Sequence, residues 1–396
     1  MAIASACLAA FAAALIAESA RMKIRDRLPL RMVVTGTRGK SSVVRLLFSI
    51  LRSSGLRTVA KTTGSIPVYM HAGGGEEEIL RRGKPTILEQ KAVLRRAAAE
   101  GAEACVVEAM SIRPEVLRAE IGRVIRPQIL VVTNVRLDHL GDQGATRERI
   151  AAAFASSIPQ GSVVFIPEEE DMPVFHRAAE KRSARVIPVP AQSGSDLPGP
   201  IPPLEFAPNV RLAAAVARHL EVDESCIRSG ILDVSPDFGS LRMWDFSRLN
   251  PPRRWQLVSA FAANDPVSTE EVLERLLSGG QTSAGLPLVG LLNLRVDRAD
   301  RSLQWKKALE EGALSRLNRI YVTGVQAPAL ARSVKAAAGR DLVPIKAKSA
   351  PAVCEKIFAL EPEGAVVLGM GNMSGLGRKI VEFWSVEGET DRDSEL

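Results

Sequence analysis

The chain has 396 residues, 46% hydrophobic and 24% charged, enough for two or three domains with their own cores and too apolar for a disordered polypeptide. A formal net charge of +7 favours anionic partners. With two tyrosines and no arginine-aromatic stretch to stack bases, nucleic acid is not expected among them.

At the N-terminus, Ala2 to Ala17 is nearly unbroken apolar sequence, followed by Arg21, Lys23, Arg25, Arg27 and Arg31. As a helix it would be about 24 Å long, short of the roughly 30 Å hydrocarbon core. An uncleaved membrane anchor is the expectation, with a helix docking on a partner or a cleaved signal as alternatives. Positive charge after the apolar run places the body on the cytoplasmic face. The four cysteines, Cys7, Cys105, Cys226 and Cys354, lack C-x-x-C spacing and read as reduced thiols rather than a zinc site or disulfides.

The next signal is Met32-Val33-Val34 leading into Thr35-Gly36-Thr37-Arg38-Gly39-Lys40-Ser41-Ser42, ahead of a helical pattern through Val43, Leu46, Leu47, Ile50 and Leu51. Strand, glycine turn and helix in this order form a phosphate cradle. Backbone N–H groups and the helix N-terminus face the phosphates, Lys40 reaches the outer ones, and the Ser41 hydroxyl can hold Mg²⁺. Val34 stands where the common form of the motif has its first glycine.

Further apolar runs at Thr58 to Lys61, Ala104 to Glu108, Gln128 to Thr133, Ser162 to Ile166 and Arg185 to Val189 alternate with helical patterns. This reads as a mainly parallel sheet covered by helices. In such sheets ligands bind beyond the carboxyl ends of the strands, so Lys40, Ser41, Glu108, Asp138 and His139 are expected to converge. Gly73 to Glu78 reads as an exposed loop tip, with a substrate-gating lid as the alternative. The proline-rich stretch from Pro188 to Pro208 reads as a surface excursion, after which Asn209 is placed to cap a helix.

From about Leu249 a second series of strands begins, Trp255 to Phe261, Leu286 to Leu292, Arg319 to Val322 and Ala365 to Leu368, giving a smaller Rossmann-like α/β domain. The expected organisation is an apolar helix and basic segment over 1–28, a P-loop sheet domain over 29–248, a second α/β domain over 249–386 and an acidic disordered tail over 387–396.

The strings T-G-T-R-G-K-S-S, Lys61-Thr62-Thr63-Gly64, Glu108-Ala109-Met110-Ser111 and Thr133-Asn134-Val135-Arg136-Leu137-Asp138-His139-Leu140 together resemble the Mur ligase superfamily of ATP-dependent amide-bond-forming enzymes. Phe261 to Pro266, Asn293-x-Arg295-x-Asp297-Arg298, Gln304-Trp305 and the glycine cluster Gly369 to Gly377 make the ligase subunits of poly-γ-glutamate synthases the nearest branch. The resemblance spans roughly residues 30 to 380. It implies ATP and Mg²⁺ as cofactors, Ser41, Thr63, Glu108 and His139 at the metal, and Asn209 and Arg242 at the nucleotide. It also implies Asn264, Asp265, Arg295 and Asp297 at an acidic substrate. Many members carry a carbamylated lysine some fifteen residues past the Asp-His pair; here Ile150 to Ser157 contains none, which leaves a second metal open.

The implied reaction makes γ-glutamyl bonds through an acyl phosphate, with release of ADP and phosphate. Glutamate, a growing γ-glutamyl chain and integral-membrane subunits are the implied partners, and a homo-oligomer is left open. Two other readings stand beside it: a cytosolic folylpolyglutamate or Mur-type ligase, and a P-loop ATPase energising a membrane partner.

Overall fold

The structure is a computed structural model that describes residues 27–64, 66–81, 83, 85–136, 146–191, 206–235, 237, 241–249, 252–278, 285–295 and 299–390, together with Cys7, Phe11 and Ala12. Most of the expected N-terminal helix, Asp138, His139, Asp297 and the last six residues therefore lie outside the described residues. Among the described residues no helix is long and apolar enough to cross a membrane. The chain divides into two compact units, Met1–Asp237 and Phe238–Leu396.

The first unit is built on eight strands, β1 (Leu30–Thr35), β2 (Thr58–Thr62), β3 (Val68–Met70), β4 (Glu76–Glu78), β5 (Ala104–Glu108), β6 (Ile129–Val132), β7 (Val163–Pro167) and β8 (Arg185–Val189), in the order β4-β3-β2-β5-β1-β6-β7-β8. The six strands β2-β5-β1-β6-β7-β8 are parallel. Strands β2, β5 and β6 are buried along their whole length and β1 over all but its first residue; the centres of β1, β5 and β6 are continuous apolar runs rather than alternating ones, while β2 also buries Thr58, Lys61 and Thr62. Pro188 sits in β8, the edge strand of this sheet, where a missing N–H costs no ladder bond.

Three expectations are corrected in this unit. The segment Gly73 to Glu78 is not only a loop tip: Glu76–Glu78 forms the exposed edge strand of a hairpin with β3, turning through Gly74 and Gly75 at φ 95° and 85°. Asn209 is not a helix cap. The helix runs Ala207–His219 with Phe206 at its cap and Pro208 in its first turn, which puts Asn209 inside that turn. Arg31 does not belong to a free basic flank either, because its buried guanidinium donates to the carbonyls of Leu28, Ile125 and Arg126.

The second unit holds a seven-stranded sheet ordered β13-β12-β11-β14-β10-β9-β15. Its members are β9 (Arg242–Leu249), β10 (Pro252–Ser259), β11 (Leu288–Asn293), β12 (Arg319–Thr323), β13 (Leu342–Pro344), β14 (Ala365–Gly371) and β15 (Glu389–Thr390). Strands β10 to β14 are parallel. Strand β9 pairs antiparallel with β10 from Arg242↔Ser259 to Leu249↔Pro252. The second compact unit starts at Phe238 rather than at the expected 249, and Arg242 is the first residue of its strand β9. The last helix, Leu376–Glu387, is followed by β15 on β9, so ordered structure extends past the expected start of the tail. The core gathers Trp244, Trp255, Phe261 and Trp384, with the Trp244 and Trp384 rings 6.0 Å apart.

Candidate functional site

Sheet register brings the chemistry of the first unit to one edge. Val34 lies opposite Glu108 and Thr35 opposite Val132, so the residues that follow β1, β5 and β6 leave the sheet at the same level. From Thr35 the chain turns through Gly36 (φ 123°) and Gly39 (φ 77°) into the helix Lys40–Ser53. Both glycines are required twice over. Their backbones are left-handed, and a methyl on Gly36 would lie 2.2 Å from Thr133 Oγ1, while one on Gly39 would lie 2.6 Å from Asn209 Oδ1. The cap residue Gly39 has no side chain to take up the first-turn N–H groups and no acidic residue stands in that turn, which suits a phosphate.

The loop is clamped from β6. Thr133 Oγ1 donates to Arg38 O at 2.6 Å, Asn134 Nδ2 donates to the same oxygen at 3.0 Å, and Asn134 Oδ1 accepts from Arg38 N at 3.0 Å. Thr37 Oγ1 exchanges hydrogen bonds with the Arg136 backbone. Lys40 Nζ meanwhile donates to Gly36 O and Thr37 O at 2.9 and 3.1 Å, so the loop carbonyls hold the ammonium at the mouth of the cradle.

Glu108 joins three elements. Its Oε2 accepts from Ser41 Oγ at 2.8 Å and from the Thr63 N–H at 2.7 Å, and its carbonyl accepts from Gln90 Nε2 at 2.9 Å. Gln90 Nε2 also donates to Glu120, whose buried carboxylate accepts the Met110 and Ser111 N–H groups at 3.0 and 2.9 Å. Below them Lys61 is fully buried and ion-paired with Glu89 Oε1 at 2.7 Å. Burial pushes the Lys61 ammonium below its ordinary range against the raising effect of Glu89, Glu108 and Glu120.

These residues enclose a cavity of about 250 Å³ lined by Thr35, Gly36, Lys40, Thr63, Glu108 and Phe154, among others. A hydroxyl and a carboxylate meeting at Ser41 and Glu108 are hard oxygen donors of the kind a small divalent cation takes, with the remaining positions left to phosphate and water. The stretch without a lysine falls on the helix Arg147–Ala155 and the following turn, and it contributes the buried Phe154 ring, not a metal donor, to the cavity wall.

The structure thus assembles Thr35 to Ser42, Thr63, Glu108 and Asn209 around one cradle. Arg242, Asn264, Asp265 and Arg295 belong to the second unit. There Asp265 caps the helix Pro266–Ser278, its two oxygens accepting from Ser268 N and Oγ at 2.9 and 2.8 Å. Asn293 ties the carboxyl ends of three strands, donating to Asn372 O at 2.6 Å and accepting from Thr323 Oγ1 at 3.0 Å. Gly371 and Gly377 are needed for close approach to Asn293 and Asn372, so the C-terminal glycine cluster serves a tight strand-to-helix joint. Sequence reasoning missed the clamp by Thr133 and Asn134 and the brace by Gln90 and Glu120. The first was legible as a Thr-Asn pair at a strand end, the second carried no local signal.

Residues 34–198 match the Mur ligase middle domain and residues 247–387 the C-terminal domain of the poly-gamma-glutamate synthase CapB. The chain is 32% identical over 293 residues to the capsule biosynthesis protein CapB of Bacillus anthracis, a match covering 73% of this chain and 62% of that protein. It is 32% identical over 303 residues to the PGA synthase CapB of Bacillus subtilis, covering 76% of each. Among solved structures, the Yersinia pestis folylpolyglutamate synthase/dihydrofolate synthase complexed with AMPPNP and a Mn ion superimposes with a TM-score of 0.67 at 16% identity, covering 93% of this chain and 91% of that one. The fold is shared.

Proposed function

The chain belongs to the CapB family of poly-γ-glutamate synthases, ATP-dependent amide ligases on a Mur ligase middle domain, and we propose that it joins glutamate through γ-amide bonds by an acyl-phosphate route. The observation that carries this reading is the meeting of Ser41, Glu108 and the Thr63 N–H beside the phosphate loop. In the first step a glutamyl carboxylate oxygen attacks the γ-phosphorus, the bond to the β-phosphate oxygen breaks, and ADP leaves. In the second an amine attacks the acyl carbon, phosphate departs with the carboxylate oxygen, and the amine gives up a proton.

Neither step needs a protein nucleophile, so the work of this chain is positioning and charge. Lys40 exchanges the Gly36 and Thr37 carbonyls for phosphate oxygens. Ser41 and Glu108 would hold a Mg²⁺ ion, which would supply charge neutralisation at the outer phosphates. Ala109, Met110, Ile112 and Phe154 line the cavity beside Thr37, Thr63 and Ser111, which narrows the room for water around a hydrolysable acyl phosphate. Glutamate, a growing γ-glutamyl chain and membrane subunits are the proposed partners, with the body at the cytoplasmic face and residues 1–20 as the anchor.

The route is tested with ¹⁸O in the glutamyl carboxylate. The label is expected in orthophosphate, with ADP as the other product; AMP and pyrophosphate would overturn it. Deleting residues 1–20 is expected to release the protein from membranes, and retention after a high-salt wash would refute the anchor.

A further inference from the structure

Glu120 and Gln90 are both fully buried. A carboxylate so placed costs stability unless its oxygens are hydrogen-bonded, and an apolar side chain of similar volume would fill the space without that cost. The partners of Glu120 are a side-chain amide and two backbone N–H groups: Oε1 accepts from Gln90 Nε2 at 2.7 Å and from Met110 N at 3.0 Å, and Oε2 accepts from Ser111 N at 2.9 Å. Gln90 Nε2 directs its other N–H to the carbonyl of Glu108 at 2.9 Å; both of its partners are acceptors, which fixes the orientation of the amide. The main chain is thereby held at residues 108, 110 and 111, where β5 has ended and no sheet ladder takes up the Met110 and Ser111 N–H groups. Glu120 also opens a six-residue π-helical turn, Glu120–Ile125, directly after the short helix Pro114–Ala119, an irregular geometry frequent at functional sites.

We propose that Glu120 and Gln90 are positioning residues of the reaction: through the main chain of residues 108 to 111 they fix where the Glu108 carboxylate meets Ser41, and so set the affinity of the phosphate cradle for a divalent cation. The inference rests on the ATP-ligase reading above. The Glu108 side chain is held by Ser41 Oγ and the Thr63 N–H, its main chain by Gln90. A cation would take the same carboxylate, so the main-chain contacts are what keep Glu108 in register while its side chain changes partner. Met110 and Ser111 line the cavity, so the two contacts to Glu120 hold part of its wall as well. Indirect partners of this kind typically alter metal affinity or activity about 10–100-fold.

The test uses the full chain and three measurements on each variant: Mn²⁺ affinity by electron paramagnetic resonance in the presence of AMPPNP, ADP affinity in EDTA, and the melting temperature. Glu120→Gln keeps size and shape but turns an amide donor towards a backbone N–H, and Gln90→Met leaves the Glu108 carbonyl without its donor. Both are expected to weaken Mn²⁺ binding roughly tenfold or more while ADP affinity in EDTA stays at the parental value. Glu120→Asp, which keeps the carboxylate, should lose less Mn²⁺ affinity than Glu120→Ala. Phe175→Leu, a core change on the helix Pro173–Glu180, is the control: it should lower the melting temperature and leave Mn²⁺ affinity in place. Parental Mn²⁺ titrations for Glu120→Gln and Gln90→Met would overturn the proposal, as would equal loss of Mn²⁺ and ADP affinity. Should Glu120→Gln fail to fold, Gln90→Met and Glu120→Asp decide by the same criteria. If Glu108→Gln also titrates like the parent, the ligase reading of the site fails with it; if Glu108→Gln alone is impaired, only the positioning role of Glu120 and Gln90 fails.

Discussion

Lys40 rests on the carbonyls of its own loop and lines the cavity, so its proposed contribution is charge delivered to the phosphates. Lys40→Ala is expected to lower turnover roughly 100-fold or more while leaving the melting temperature in place; an unchanged rate would remove the loop from the chemistry. A second residue-scale expectation concerns Glu89 and Lys61. Burial alone would push the Glu89 carboxyl up, but hydrogen bonds and charge from Arg81 and Lys61 prevail and hold it at about 2. The unfolded carboxyl, at its ordinary value of about 4.3, takes a proton first, so the pair's stabilisation is complete above about pH 5 and is lost as the pH falls towards 2. Glu89→Gln is expected to cost about 3 kcal/mol at pH 7, because Lys61 stays buried without its nearest counter-charge. Denaturant titrations at pH 7 and pH 3 check the sign: the gap between variant and parent should narrow at pH 3, and a gap that widens would refute the assignment.

At the scale of elements, the helix Glu224–Leu232 meets the phosphate-loop helix backbone to backbone. A methyl on Gly230 would lie 2.3 Å from Ile50 Cα, and no side-chain rotation relieves contact with a main-chain atom. Alanine would gain up to about 1 kcal/mol in helix propensity, yet overpacking costs about 1–3 kcal/mol and more where backbone must move. Gly230→Ala is therefore expected to destabilise by about 2 kcal/mol in chemical denaturation, and a stabilised variant would show that the two helices separate freely. The same distinction between local and tertiary signals explains what was legible beforehand. Strands β5, β6 and β7 are legible because a strand buried on nearly every residue is a run of apolar side chains, and β2 and β8 because Val59-Ala60 and Val186-Ile187 still interrupt polar sequence at the spacing of an alternating α/β fold. Strands β3, β4 and β13 are three residues long and exist through their neighbours, leaving no period to read. Strand β9, Arg-Met-Trp-Asp-Phe-Ser-Arg-Leu, alternates only from Trp244 to Ser247, too short a period to read without its partner β10. Asn209 misled because Asn before an apolar run looks like a cap, whereas Pro208 starts the helix earlier and turns the asparagine onto Gly39.

At the scale of the whole molecule, each unit has its own sheet and its own buried core, the first around Val33, Val107 and Leu130, the second around Trp244, Trp255 and Trp384. The loop, the Thr133–Asn134 clamp, the Ser41–Glu108 pair and the Asp237–Arg45 ion pair all lie within Met1–Asp237. Separate cores imply separate cooperative transitions. A ligand that binds one native unit stabilises that unit by about 2.7 kcal/mol at 100 times its dissociation constant. For a unit of this size that is a rise of roughly 5–10 °C. Scanning calorimetry of the full chain is expected to resolve two transitions, with AMPPNP and Mn²⁺ raising the one assigned to the first unit well above any shift in the other. Lys40→Ala should reduce that shift without moving the unliganded midpoints. Equal displacement of both transitions by the nucleotide would mean that binding needs groups from the second unit as much as the cradle, with Arg242 the first candidate to replace.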